Sequence, residues 1–214
     1  MEEKLQFMPT LQEAFTIGIK NLTPIVFAGL LWLITIWIPY VNVGTTIAMA
    51  TLPVKLSKGE IISPMFIFDA EYRHQMGEYF ILQAIISSAI SVAMLFMFVP
   101  GIVLTYSWML AVYLLVGKKM NWAKCLSESN RLMMGYKLKV FFIKFVVSFC
   151  IGFVTFVLFA LLKNLSGFLA IMVVLAMILV SVCVINAVDA VIYRELVLAE
   201  EDETEESVDL EGCC

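Results

Sequence analysis

Three stretches of the chain run on without a charged side chain: Asn21–Val54 for 34 residues, Tyr79–Gly117 for 39 and Leu165–Val188 for 24. A helix needs about 20 apolar residues to cross a hydrocarbon core of about 30 Å. As one helix the longest run would measure about 58 Å, nearly twice that thickness, so it must fold back. Pro100-Gly101 lies near its middle. Proline removes a backbone donor and clashes with the preceding turn, while glycine accepts the left-handed geometry of a tight reversal. Pro39–Gly44 interrupts the first run in the same way. The pattern therefore predicts an all-α polytopic membrane bundle of six transmembrane helices: Asn21–Ile38, Val41–Lys55, Glu78–Val99, Ile102–Gly117, Val140–Leu162 and Leu165–Ile192. The second and fourth are short for a full crossing, which leaves a re-entrant hairpin as the alternative.

Between the spans the period changes, and three cytoplasmic connections read as amphipathic helices. In "TLQEAFTIGIK", Thr10 and Glu13 have capping-box spacing, with Leu11, Ala14, Phe15 and Ile19 on one face. Ser63-Pro64 suits the start of a short helix in which Asp69 and Arg73 stand one turn apart. Asn121 is placed to cap a helix over about Asn121–Met134, with Trp122, Cys125, Leu126, Ser129 and Met133 on its apolar face. Lys124, Glu128 and Arg131 form its charged stripe. Gly135 is expected to end that helix at positive φ. Ser129 should pack or hydrogen-bond against a span, its apolar neighbours lying at the acyl boundary. Lys137 and Lys139 would then reach anionic lipid headgroups.

Composition agrees with the pattern: 62% of the 214 residues are hydrophobic, 15% are charged, and the mean hydropathy is +0.95. The formal net charge of −4 hides an asymmetry, because residues 195–214 carry nine acidic side chains and no basic one. The remainder, with 14 basic and 9 acidic residues, is +5. Three units follow: an N-terminal amphipathic segment (1–20), the six-span membrane domain (21–194) and an acidic, disordered tail (195–214) that offers a docking surface to a basic protein partner. Threaded from inside, six spans put 12 basic residues on the cytoplasmic side and only Lys163 opposite. Lys/Arg excess marks the cytoplasmic face, so both termini are expected there. Tyr40, Pro100 and Asn164 mark the far side. The same asymmetry accounts for the basic residues without nucleic acid. Five dispersed cysteines, with no CxxC pair, argue against a disulfide framework or a zinc site. The terminal Cys213-Cys214 pair would add little as a lipid anchor to a chain with six spans.

"FVPGIVLTYSWMLAVYLLV", then "CLSESNRLMMGYKLKVF", resembles the pattern of a bacterial membrane-protein superfamily. That superfamily includes the YciC-like proteins and the membrane domain attached to some glycerophosphodiester phosphodiesterases. The upstream "IPYVNVGTTIAMATLPVKLSKGEIISPMFIFDAEYR" and the closing "AVIYREL" fit it too, so the likeness covers roughly Phe15 to Leu196. In that pattern Pro100, Gly101, Ser129, Gly135 and Lys137 are the recurring positions. The resemblance implies a six-span fold in a bacterial inner membrane, and no activity.

Chemistry is sparse. The single histidine, His74, lies in a loop beside Arg73, and no zinc, serine-hydrolase, phosphate-loop or dinucleotide motif occurs. No catalytic, cofactor or metal residue is assigned. Lys144 and Asp189 are ionisable residues within apolar sequence, which makes them functional candidates. A structural Asp189 partnered by Lys144 or Arg194 is favoured over an ion or proton site. Trp32, Trp37, Tyr40, Trp108, Tyr113 and Trp122 read as interface belts and packing. Two function classes remain. The favoured one is a non-enzymatic scaffold or assembly protein working through partners and lipids. The alternative is a small transporter or channel, suggested by the Lys144/Asp189 pair and a hairpin echo: Pro39 and Pro100 are 61 residues apart, as are Lys58 and Lys119. A polar cavity reaching the midplane would favour transport.

Overall fold

The computed structural model describes residues 5, 7–59, 61–163 and 167–200, and among them there is no β-strand. Eleven α-helices follow in order: α1 Phe7–Lys20, α2 Leu22–Thr35, α3 Val41–Ala50, α4 Leu52–Leu56, α5 Ala70–His74, α6 Met76–Phe96, α7 Phe98–Ser107, α8 Ala111–Gly117, α9 Trp122–Leu132, α10 Lys137–Leu162 and α11 Gly167–Tyr193. A 3-10 turn, Pro64–Phe68, precedes α5, and a π-helical turn, Arg194–Leu198, extends α11. Among the described residues four helical stretches are long and apolar enough to cross a membrane: Met76–Phe96, Phe98–Gly117, Lys137–Leu162 and Ala170–Leu198. α1 and α2 together would add a fifth, but they meet at a bend of 61°.

The second reversal is placed differently from the sequence expectation. The chain turns at Met97, which is extended at φ −157°, ψ 136°. Pro100 lies inside the first turn of α7, where its missing N–H has no intrahelical partner to lose. Gly101 is helical and not left-handed. Its value is space: an added Cβ would sit 2.5 Å from Met94 Sδ, so α6 and α7 approach closely there. In the first hairpin Tyr40 carries the positive φ, at 72°, while Gly44 is helical within α3. Trp32 Nε1 donates to Thr46 Oγ1 at 3.0 Å, and the Thr35 and Thr45 hydroxyls are 3.0 Å apart. These bonds clasp α2 to α3, as polar side chains do between helices in lipid.

The connecting segments also depart from expectation. α1 starts at Phe7, so Thr10 is inside the helix and Glu13 is free to pair with Arg194 instead of closing a capping box. Ala14 and Ile17 are buried, α1 packing lengthwise on α11, whereas Phe15 and Ile19 are exposed. One apolar face thus divides between protein and the surroundings. Asp69 breaks the segment after Phe68 and lies 3.9 Å from Lys55, while Arg73 bonds the Phe68 carbonyl at 3.4 Å. No Asp69–Arg73 pair forms.

Asn121 caps α9, its side chain accepting from the Ala123 N–H at 3.0 Å. Cys125, Ser129, Leu132 and Met133 are buried against α8 and α6 instead of facing acyl chains. Ser129 Oγ donates to the Ser107 carbonyl at 2.8 Å, supplying a partner to the end of α7. The Trp122 N–H donates to Glu78 at 3.1 Å, fastening α9 to the start of α6. Gly135 has φ +88°. Lys137 donates to Asn130 at 2.9 Å, so this lysine is tied to α9 and not extended toward headgroups. Position 195 is not a boundary either. Helix runs on to Glu200, with Leu196 and Val197 buried, and Glu200 pairs with Arg131 at 2.7 Å. Residues 201–214, Asn164 and the terminal cysteines lie outside the described residues.

Burial concentrates at the lysine-rich end, where Leu52, Leu56, Leu114, Met133, Val191 and Tyr193 are all nearly inaccessible. Toward the other end the surface is bare hydrocarbon, Trp37 being 87% exposed and Leu95 86%. On α10, Phe141, Phe145, Phe149 and Phe153 stack at i, i+4 with ring centroids 6.0, 6.2 and 6.5 Å apart. An apolar surface of this extent belongs against acyl chains, since soluble monomers rarely expose contiguous patches beyond a few hundred Å².

Candidate functional site

Lys144 and Asp189, the two ionisable side chains inside apolar helices, meet. α10 starts at Lys137, which places Lys144 about 10 Å along it, two turns in. Asp189 stands one turn before the end of α11 at Tyr193. Lys144 Nζ is 2.6 Å from Asp189 Oδ1, with the two side chains 21% and 9% exposed. Asp189 Oδ2 accepts the Tyr113 hydroxyl of α8 at 3.0 Å. Three helices are therefore joined at one carboxylate, Oδ2 through a hydrogen bond and Oδ1 through an ion pair whose geometry makes no hydrogen bond. Of the two cations the sequence offers to Asp189, Arg194 turns elsewhere, to Glu13 on α1 and to Glu195 at 2.9 Å. Asn186 points away and bonds the Val182 carbonyl at 2.8 Å.

Two tyrosines extend the cluster. The Tyr113 ring meets Tyr193 edge-on, centroids 6.2 Å apart at 87°. Tyr193 is buried and its hydroxyl lies against Gly117, where an added Cβ would come within 2.2 Å of Tyr193 Oη. Glycine at 117 is thus demanded by the approach of α8 to α11, not by backbone conformation. Gly117→Ala is expected to cost about 1–2 kcal/mol, the range for overpacking a well-filled site. Adding Tyr193→Phe should recover part of that loss. Detergent melting of the two variants checks this, and equal losses in both would remove the steric account.

This geometry makes a clamp between α8, α10 and α11. The cavity beside the pair, about 30 Å³, is of the size that holds a single water. The larger groove between α10 and α11, about 440 Å³, carries Ser148, Thr155 and Ser181 among apolar residues. Thr155 and Ser181 donate to carbonyls of their own helices, each at 2.7 Å. No group of three His, Cys, Asp or Glu among the described residues is placed to hold a metal. A buried pair is costly to break, since losing one partner strands the other charge away from water.

The remaining sequence candidates are not part of this cluster. Pro100 and Gly101 shape the α6–α7 hairpin; Ser129, Gly135 and Lys137 shape the elbow from α9 into α10. His74 is exposed at the end of α5. Tyr113, which the sequence assigns to interface belts and packing, is the member that sequence reasoning does not connect to Asp189. The available signal was a buried hydroxyl, which needs a partner wherever it lies. No family model, curated protein or solved structure matches the chain at a significant level.

Proposed function

We propose that this chain is a non-enzymatic integral membrane protein that works through lipids and protein partners at the cytoplasmic face of a bacterial inner membrane. In this reading it has six spans, α2, α3–α4, α6, α7–α8, α10 and α11, and belongs with the YciC-like superfamily whose pattern it resembles. The observation that carries the reading is the tying of its connecting segments to the lysine-rich ends of the spans. Arg194 holds Glu13, Lys119 holds Glu71 at 2.7 Å, and Glu78 holds the start of α9. Charges joined in this way form a platform and leave the apolar shafts to lipid.

Topology supports the reading without depending on how deep the first hairpin goes. α3 and α4 span only about 24 Å together, less than the hydrocarbon core. Crossing or re-entrant, that hairpin returns the chain to its starting side, and the four longer stretches are even in number. Both termini then share the lysine-rich, cytoplasmic side. A five-span chain, with α1 and α2 as one crossing, would separate them.

The transporter alternative draws on the Lys144–Asp189 pair, which is mostly buried beside a cavity of single-water size, and on a groove whose hydroxyls are largely spent within their own helices. Two measurements test the proposal. In a cysteine-free background, Pro9→Cys and Lys124→Cys should label only from the cytoplasm and Trp37→Cys only from outside. Labelling of Pro9→Cys from outside would refute the six-span threading. In proteoliposomes the protein should carry no ion or solute flux; a flux abolished by Asp189→Asn would replace the scaffold reading with transport.

A further inference from the structure

At the lysine-rich end a cavity of about 270 Å³ lies between the last turns of α4 and α8, lined by Lys55, Ser57, Lys58, Glu71, Lys119 and Tyr193. Lys119 pairs with Glu71 at 2.7 Å and Lys55 lies 3.9 Å from Asp69, so the basic side chains at the cavity outnumber the acidic ones by one, Lys58. Glu71 stays ionised, because the hydrogen bond from Lys119 holds its carboxyl below the usual range. Helix ends attract cations to their free carbonyls, and α4 and α8 both finish here, which accounts for a lysine at each. A third lysine and the backbone of Lys119 are left over. Lys119 has φ +52°, a conformation lysine seldom adopts. Strain of this kind persists where surrounding structure enforces it, and it concentrates at ligand sites. The 61-residue echo gains a spatial meaning as well. Lys58 and Lys119, each closing its own hairpin, line the same cavity.

We infer that this cavity binds a phosphate group. Ammonium groups on flexible stems suit a compact, doubly charged phosphomonoester, whereas planar bidentate recognition calls for arginine. The cavity lies where spans end and headgroups begin, so the phosphate is carried either by an anionic lipid or by a small soluble molecule. The inference rests on the lipid-facing reading above and deepens it.

The test uses the full chain in a neutral detergent. Phosphatidic acid and phosphatidylcholine are titrated by native mass spectrometry, and inorganic phosphate by calorimetry. The variants are Lys58→Gln, Lys119→Gly and, on the exposed face of α9, Lys124→Gln. Lys119→Gly removes the charge and suits the positive φ, which offsets the loss of its exposed pair with Glu71, so the variant should still fold. Phosphatidic acid should bind in preference to phosphatidylcholine. Each cavity variant should weaken binding roughly fivefold, the factor matching about 1 kcal/mol per basic charge, and Lys124→Gln should leave it unchanged. Binding of inorganic phosphate with the same lysine dependence identifies a soluble phosphate as the ligand; its absence identifies the lipid headgroup. Equal losses in all three variants, or none in Lys58→Gln and Lys119→Gly, would overturn the site. Flux through proteoliposomes would defeat the scaffold reading while leaving this lysine dependence standing, so the two failures are distinct.

Discussion

Asp189→Ala is expected to lower stability in detergent by about 3–5 kcal/mol, the cost of stranding one partner of a buried ion pair. The carboxylate joins α8, α10 and α11, so its loss leaves Lys144 Nζ without its counter-charge and the Tyr113 hydroxyl without its acceptor. Lys144→Met should cost somewhat less. The Lys144 side chain is 21% exposed and partly solvated from the start, and Asp189 keeps its tyrosine. The informative variant is the double change, Lys144→Met with Asp189→Leu. It removes both charges and replaces them with hydrocarbon, which in buried pairs is often neutral or stabilising. The double variant should therefore melt above either single one, by about 2 kcal/mol or more. Fully additive losses would mean that the two side chains do not sense each other, and the clamp would have to be abandoned.

Gly135→Val should cost about 2–3 kcal/mol, more than the roughly 1 kcal/mol expected for Ser129→Ala. The two residues fail for different reasons. No atom lies within 4 Å of a Cβ built on Gly135, so crowding contributes nothing there. The penalty comes from φ +88° alone, which a β-branched residue tolerates poorly. Gly135→Asn should accordingly be much milder than Gly135→Val, because asparagine accepts the left-handed region. Ser129 is fully buried and loses one hydrogen bond, to the Ser107 carbonyl. Melting midpoints of the three variants give the ranking. A silent Gly135→Val, beside a Ser129→Ala that abolishes a cellular phenotype at normal abundance, would exchange the hinge for a site.

Much of the elbow was legible because its determinants are local. The cap at Asn121, the stop at Gly135 and the buried register of Ser129 each depend on a few neighbouring residues. The turn at Met97 was not, because Pro100 announces a discontinuity without saying on which side of it the chain reverses. A proline tolerated in a first helical turn marks the beginning of α7 as readily as the end of α6.

By itself, the sequence determined the all-helical membrane character, through charge-free runs too long for anything else in lipid, and favoured a structural Asp189 paired with either Lys144 or Arg194. Lipid leaves backbone groups no partner outside a helix or a closed barrel, so hydropathy alone carries that inference. Only the tertiary structure decided who shares the carboxylate. Tyr113 lies 76 residues before Asp189, and no spacing rule connects them. The same holds for Arg194, which turns to Glu13 across 181 residues, and for the lysines of two hairpins that line one cavity. Each depends on which helices become neighbours. In lipid that choice follows from close packing at positions such as Gly117 and Gly101, not from the apolar pattern, because every span is equally apolar to its surroundings.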